Sequence, residues 1–324
     1  MLKQPYRKSS PSQGDVHVDA ILTNISVAYA TDQEQYIASK VFPVVPVDKQ
    51  SDKYYIRTKN DWFRDEAEKR ADNTESVGSG YTVSTDSYFA DVWAFHQDLG
   101  SQLRANADAV LNLERNATRF VTQRLLIRQE VQWVTDFFAT GVWGTDITPA
   151  NLWSDYTLSD PVEDIETGKE AILSVTGYEP NTLVLGYQVG RKLRNHPDIR
   201  DRVKVQTGVH NVTNEALASI FGVERVLISK AIKATNKKGA AGTYGFIQGK
   251  HALLCYSAPS PGLEIPSAGY TFGWNGLSGG LGTSVAVDSF EIRKTKTLRV
   301  EGEMAWDNKV VAADLGYFFN GAVI

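Results

Sequence analysis

The sequence predicts an α+β fold: a long helical spine, an inserted α/β module, and late strands that return to the spine. Three observations carry this. In LNLERNATRFVTQRLLIRQEVQWVTDFFATG, the residues Leu113, Ala117, Phe120, Ile127, Val131, Val134 and Phe138 recur at three- and four-residue steps. Strand and helix patterns alternate from about Pro180 to Ala258. Two strand-like stretches then close the chain with no helix of their own to cover them.

Composition sets the limits. The chain has 324 residues, 42% apolar and 22% charged, which suits one large folded unit or two modest ones. Its 34 basic and 38 acidic residues leave a net charge of −4, so no global basic field attracts nucleic acid. Cys255 is the single cysteine, which excludes an intramolecular disulfide and a cysteine-based zinc site and fits a reducing compartment. The opening MLKQPYRKSSPSQGD lacks the apolar core of a signal peptide, and no apolar run approaches a membrane span. The expectation is a soluble protein made in a cytoplasm. The glycosylation triplets at Asn24, Asn116 and Asn211 then read as chance matches.

Residues 1–47 read as an extended arm punctuated by Pro5, Pro11, Pro43 and Pro46. A long β-hairpin follows. KYYIRTKNDWFRDEAEKRADNTE carries Tyr54, Ile56, Trp62 and Phe63, VGSG supplies a break, and the alternation resumes through Tyr81, Val83, Thr85, Tyr88, Ala90 and Val92. A free-standing hairpin is marginal in water, so this one needs a surface to rest on. Its Asp61, Asp65, Glu66, Glu68 and Asp72 cancel the positive charge locally. Closely mixed signs suit a protein partner better than phosphate.

The spine helix spans about Leu111 to Ala139, roughly 43 Å at 1.5 Å per residue, with Gly141 just past its end. A second helix, PVEDIETGKEAILSVTG, turns Ile165, Ile172 and Val175 inward, stops at Gly177, and places Glu163, Asp164 and Glu166 at its positive end. The α/β module contains the buried strand EPNTLVLG, the helix YQVGRKLRNHPDIRDRVK broken at Pro197 with His196 marking a helix end, the helix NEALASIFGV, and the strands ERVLISKAIKAT and HALLCYSA. YTFGWNGLSGGLG reads as a glycine-rich loop, and DSFEIRKTKTLRVEGEMAW and KVVAADLGYFFNGAVI as the two closing strands.

Chemistry is sparse. GLSGG at Gly276–Gly280 matches the nucleophile elbow around Ser278, but strand-like sequence follows it and the last histidine, His251, lies upstream. A serine hydrolase is thus a lesser alternative that fails on context. The glycines of GWNGLSGG lack the strand–turn–helix setting of a dinucleotide loop, and His17 with Asp19 finds no identifiable third ligand. No catalytic, cofactor-binding or metal-binding residue is expected.

The order of parts, together with VTGYEPNTLVLGYQVGRKLRNHPDIRDRVK (Val175–Lys204) and RVEGEMAWDNKVVAADLGYFFNGAV (Arg299–Val323), resembles the major capsid proteins of tailed bacteriophages with the Hong Kong 97-type fold. The resemblance implies an N-terminal arm at 1–47, an E-loop at 48–96, a peripheral domain over 97–179 that resumes at 263–324, and an axial domain at 180–262. It implies a head protein that assembles as hexamers and pentamers into an icosahedral shell around double-stranded DNA, without sequence-specific binding, membrane or cofactor. Its partners would be a separate scaffolding protein, a portal and a decoration protein, with assembly in the host cytoplasm. Candidate contacts between subunits are Trp62, Phe63, Arg64 and Arg70 in the hairpin, and Pro197 and Asp198 near the capsomer axes. Lys49, Lys53, Lys59 and Lys69 match no partner for a covalent cross-link, and none is expected. An encapsulin-type compartment, which shares the fold, is the alternative.

Overall fold

The structure, a computed structural model, describes residues 35–57, 59–106, 112–207, 212–262, 265–276 and 283–324. Its elements run α1 (Ala38–Val41), β1 (Val44–Val47), β2 (Ser51–Arg57), α2 (Lys59–Trp62), β3 (Val83–Phe89), β4 (Asp91–Gly100), α3 (Ser101–Ala105) and α4 (Leu113–Phe137). Next come β5 (Thr145–Ile147), α5 (Pro161–Thr176), β6 (Thr182–Gly186), α6 (Tyr187–Asn195), α7 (Pro197–Thr207), α8 (Asn214–Phe221) and β7 (Arg225–Ser229). The chain finishes with β8 (Ile232–Ala234), β9 (Tyr244–Phe246), β10 (Ala252–Cys255), β11 (Gly269–Trp274), β12 (Ala286–Ile292), β13 (Thr297–Val310) and β14 (Gly316–Phe319).

The spine helix α4 starts where Asn112 accepts a hydrogen bond from the Arg115 amide at 2.9 Å. Its buried residues are Leu113, Ala117, Val121, Leu125, Gln129, Trp133 and Phe137, one at every fourth position, with Glu130 beside them. This corrects the expected stripe: Phe120 is exposed, and Ile127, Val131 and Val134 are only half-buried. The physical reason is rotation. Four residues turn a helix by about 400°, so six such steps carry the buried line roughly 240° around the axis. The helix therefore buries different sides along its length, and no single face is apolar.

The first half of α4 packs on a sheet. Leu113 and Ala117 meet Leu99, Leu298 and Val300, while Val121 and Leu125 meet Met304 and Trp306. The long strand β13 organises that sheet, with β4 antiparallel on one edge and β12 followed by β11 on the other. Gly302 brings β13 close to the helix, since a Cβ there would stand 2.5 Å from Val121 Cγ1. β1 adds in parallel to β11 at the edge of the sheet, where Pro46 is tolerated.

The second half of α4 enters the main core. Trp133, Phe137 and Phe138 join Val41, Phe42 and Trp143, and the Phe42–Phe137 ring centroids are 4.8 Å apart. This core continues through a mixed sheet ordered β5-β14-β10-β6-β7, whose strands β6, β10 and β14 are buried at every residue. At the β6–α6 junction a Cβ on Gly186 would lie 2.2 Å from the Gly249 carbonyl oxygen, so only glycine fits. Helix α5 begins at Asp160, whose side chain accepts from the amides of Val162 and Glu163, and ends at the left-handed Gly177.

Glu130 fastens the described end of the arm to the spine. Its carboxylate accepts from the amides of Ile37 (3.0 Å) and Ala38 (2.9 Å) and from the Ser229 hydroxyl (3.1 Å). Burial nonetheless pushes its pKa up, against these hydrogen bonds.

Three further expectations are corrected. YTFGW is not loop but the strand β11, buried on both faces of its sheet. Neither closing stretch is one strand: the first turns back at 293–296 to give the antiparallel pair β12 and β13, while the start of the second ends β13 and its GYFF forms β14 in the other sheet after a 3-10 turn. Val175, expected inside, is half-exposed on α5. The helix break before Pro197, with His196 as the end of α6, is present.

Candidate assembly surface

The ribbon of β2 and β3 pairs from Ser51↔Phe89 to Arg57↔Val83. Its base is anchored. Tyr88 stacks on Phe272 with centroids 4.6 Å apart, Tyr54 lies 5.3 Å from the same ring, and the Phe89 amide donates to Asp307 at 2.9 Å. The Tyr54 hydroxyl donates to Asp86 at 2.9 Å, and burial followed by that carboxylate pushes its pKa up. Beyond this anchor the support stops. Residues 67–87 are all exposed, including Val77, Tyr81 and Val83.

The neck of the ribbon is more ordered. Asp61 accepts from the Thr82 amide (2.8 Å) and hydroxyl (2.7 Å), tying the two sides together, and these bonds lower its pKa. The Trp62 and Tyr81 rings are 5.6 Å apart, and the Phe63 ring sits over Gly177, 3.8 Å from where a Cβ would be. Lys59 pairs with Asp314 on the body of the same chain. Lys59, Trp62, Phe63 and Asp314 edge an open cleft of about 540 Å³ that also takes in Tyr55, Tyr178, Ile265 and Leu315.

The structure thus brings Trp62 and Phe63 together at the neck, 56% and 65% exposed, a substantial apolar area left facing solvent. It does not extend Arg64 and Arg70 outward as a pair. Arg64 lies 3.4 Å from Glu66, and Arg70 donates to the Thr74 carbonyl across a turn in which Asn73 has φ 60°. Pro197 and Asp198 lie elsewhere, exposed at the start of α7. His196 beside them is buried, 3.1 Å from the Ser159 hydroxyl and edge-on to Tyr156. Sequence reasoning missed Tyr55, Val77 and Tyr81 as members of the exposed surface. Their signal was available in the reading of this stretch as a hairpin with no core behind it.

No catalytic constellation is assembled from these parts. Among the described residues no three metal-ligating side chains cluster, and no helix is long and apolar enough to cross a membrane. Burial pushes the Cys255 thiol up to about 12, which leaves it protonated and inert. Ser278, His17 and Asp19 lie outside the described residues.

No protein-family profile matches the chain. Two relatives do, both named major capsid protein. One, from Burkholderia phage BcepMu, is 28% identical over 322 residues, spanning 94% of this chain and 96% of its own. The other, from Pseudomonas phage JBD67, is 26% identical over 325 residues, spanning 94% and 97%. Among solved structures, a phage-related protein from Bordetella bronchiseptica RB50 superposes with TM-score 0.68 at 24% identity, covering 94% of this chain and 97% of that one. The capsid of cyanophage P-SCSP1u gives TM-score 0.60 at 10% identity, over 91% and 90%. An encapsulin complex from Synechococcus elongatus PCC 7942 gives 0.56 at 13%, over 94% and 95%. At these identities the structural likenesses speak for the fold alone. Matched end to end by sequence to two capsid proteins and by fold to a phage capsid, the chain is a structural capsid-shell protein related to the major capsid proteins of tailed bacteriophages.

Proposed function

We propose that this chain builds an icosahedral phage head of the Hong Kong 97 type around double-stranded DNA, as hexamers and pentamers. In this reading residues 48–96 are the E-loop and 1–47 the N-terminal arm. The segments 97–179 and 263–324 form the peripheral domain, and 180–262 the axial domain. A scaffolding protein, a portal and a decoration protein are its partners, the virion is its final location, and the host cytoplasm is where it assembles. The observation that carries the reading is the ribbon: residues 67–87 are exposed without exception, on a chain related over nearly its whole length to capsid proteins.

Such a ribbon is intelligible when a neighbouring copy supplies its missing surface. Trp62 and Phe63 are its apolar contacts, and Arg64 and Arg70 its charged ones. Pro197 and Asp198 face neighbours around the capsomer axes. Individual exposed ion pairs contribute at most about 1 kcal/mol, but a subunit in a closed shell makes many contacts at once. Weak single contacts also let misplaced subunits leave.

The encapsulin likeness keeps a second reading open, a shell that holds protein cargo. The relatives matched by sequence are both named as capsid proteins, which favours the first. Their names are structural, and an enzymatic role for Ser278 is not proposed; stoichiometric labelling by a serine-reactive probe would reverse that. Negative-stain microscopy of the expressed chain, with and without a co-expressed scaffold, tests the shell. DNA and a portal vertex within purified particles support the phage head, and a protein cargo supports the encapsulin reading.

A further inference from the structure

From Arg225 to Gly262 the chain contains no acidic residue, while Lys230, Lys233, Lys237, Lys238 and Lys250 fall within it. In a protein of net charge −4 that is a pronounced local asymmetry. The structure concentrates it on the small hairpin of β8 and β9, paired from Ile232↔Phe246 to Ala234↔Tyr244. The loop between the strands is ordered by Asn236. Its amide group donates to the carbonyls of Lys237 (3.0 Å) and Ala240 (3.2 Å), and its oxygen accepts from the Thr243 amide at 3.0 Å. Lys230, Lys237, Lys238 and Lys250 are exposed, Lys233 is half-buried, and none of the five pairs with an acid among the described residues.

A second observation adjoins the first. Tyr187 stacks on Phe246, with ring centroids 4.7 Å apart, and also lines a cleft of about 400 Å³ with Arg191, Arg194 and Arg200. Arg194 donates to Asn214 at 2.7 Å, yet its Nε is buried without a partner among the described residues. The acids near this cleft are Asp198 and Asp201, on the helix of Arg200, and Glu215 beside Arg194. None lies on the hairpin.

We propose that the β8–β9 hairpin and the arginine cleft at its base form a surface that holds the phosphate backbone of duplex DNA without reading its sequence. The choice of duplex DNA rests on the phage-head reading above. Closely mixed signs argue against phosphate at the β2–β3 ribbon; by the same criterion, an acid-free run of lysines satisfies it here. Lysine is depleted in the cores of protein–protein interfaces, which disfavours a subunit contact. The hairpin also exposes an apolar strip, Tyr244 with the paired Ile232 and Phe246, which lies beside the lysines and would be the contact if the partner were another subunit.

The test is fluorescence anisotropy of a labelled duplex of arbitrary sequence, titrated with the purified full chain at increasing salt. Wild type is expected to bind with a slope of log affinity against log salt steeper than about −4, about one phosphate for each of the four lysines with the cleft arginines adding to it. Changing Lys230, Lys233, Lys237 and Lys238 together to Gln should reduce the magnitude of that slope by about 4, leaving the part that the cleft arginines supply, and weaken binding at least about tenfold at 0.1 M salt. Changing the equally exposed Lys294 and Lys296 to Gln should leave binding as in wild type. The proposal is overturned if wild type shows no salt-dependent binding, or if the quadruple variant binds DNA as wild type does. A quadruple variant that keeps DNA binding but no longer forms particles would assign the lysines to subunit contacts instead. Particle formation is scored separately by microscopy, so failure here and failure of the shell reading are distinguishable.

Discussion

Strands β6 and β3 are of similar length and opposite circumstance. Every residue of β6, from Thr182 to Gly186, is buried between the helices and neighbouring strands. In β3, from Val83 to Phe89, Tyr88 alone is buried. The body of this protein is complete as a single copy, whereas the ribbon finishes in solvent. The same chemistry shows in the carboxylates. In the body, burial raises the pKa values of Glu130, Asp136, Asp164 and Asp307. On the ribbon, hydrogen bonds outweigh a slight desolvation and lower those of Asp52, Asp61, Glu66 and Asp86. One region is organised by exclusion of water, the other by polar links that tolerate it.

The sharpest way to break this comparison is to alter the ribbon and find that the body suffers. Replacing both Trp62 and Phe63 with Ser should abolish particles while leaving a soluble subunit with an unchanged melting temperature, read by microscopy and thermal denaturation. Normal particles from that variant would remove these residues from the interface. The converse belongs to the body. Gly186→Ala must push a Cβ against the Gly249 carbonyl, and should cost about 2–4 kcal/mol of stability in denaturant unfolding. A wild-type unfolding curve would show that the β6–α6 junction yields more easily than its packing indicates.

A smaller effect separates the regions by pH. Glu130 has its folded pKa above the ordinary 4.5, so the stability it contributes is full below 4.5 and is lost as pH rises through the folded value. Glu130→Gln should flatten that part of the stability–pH profile. Asp61 has the opposite sign: its folded pKa lies below the ordinary 3.8, so its contribution is present above 3.8 and lost as pH falls through the folded value. Hydrogen-exchange protection of the Thr82 amide should therefore fall on acidification while the core amides of β6 keep theirs. The smallest effect is expected from Lys59→Ala. Removing the pair with Asp314, both groups about half exposed, should move the melting temperature by no more than about 2 °C. It should nevertheless speed proteolysis within 63–82, because the neck is no longer held to the body.

Much of the fold was legible in the sequence, for identifiable reasons. The ends of α5 were marked by Pro161 and Gly177, and the α6–α7 break by Pro197. The spine helix was legible in extent but not in orientation. A burial line that advances four residues at a time has no fixed face, and no helical spacing marks Glu130 as the carboxylate buried against Ile37 and Ala38. Strand β11 was hidden by its glycines: a Cβ on Gly269 would come 3.1 Å from Phe137 and 3.2 Å from Phe42, a closeness that sequence does not display. The exposure of Trp62 and Phe63 was expected. Their position at the neck, over Gly177 of the same chain, depends on a long-range contact that no local pattern encodes. The lysines in and around the β8–β9 hairpin were visible as letters, but an overall charge of −4 concealed their concentration there.

The central claim is that this subunit is unfinished alone and completes its ribbon on other copies of itself. Analytical sedimentation of the purified chain over a wide concentration range, with electron microscopy of the same samples, tests it most directly. The account predicts large closed particles, or discrete capsomers that convert to them when a scaffold is supplied. A species that stays monomeric at the highest concentration and with scaffold present, its residues 67–87 protected against the body, would contradict it.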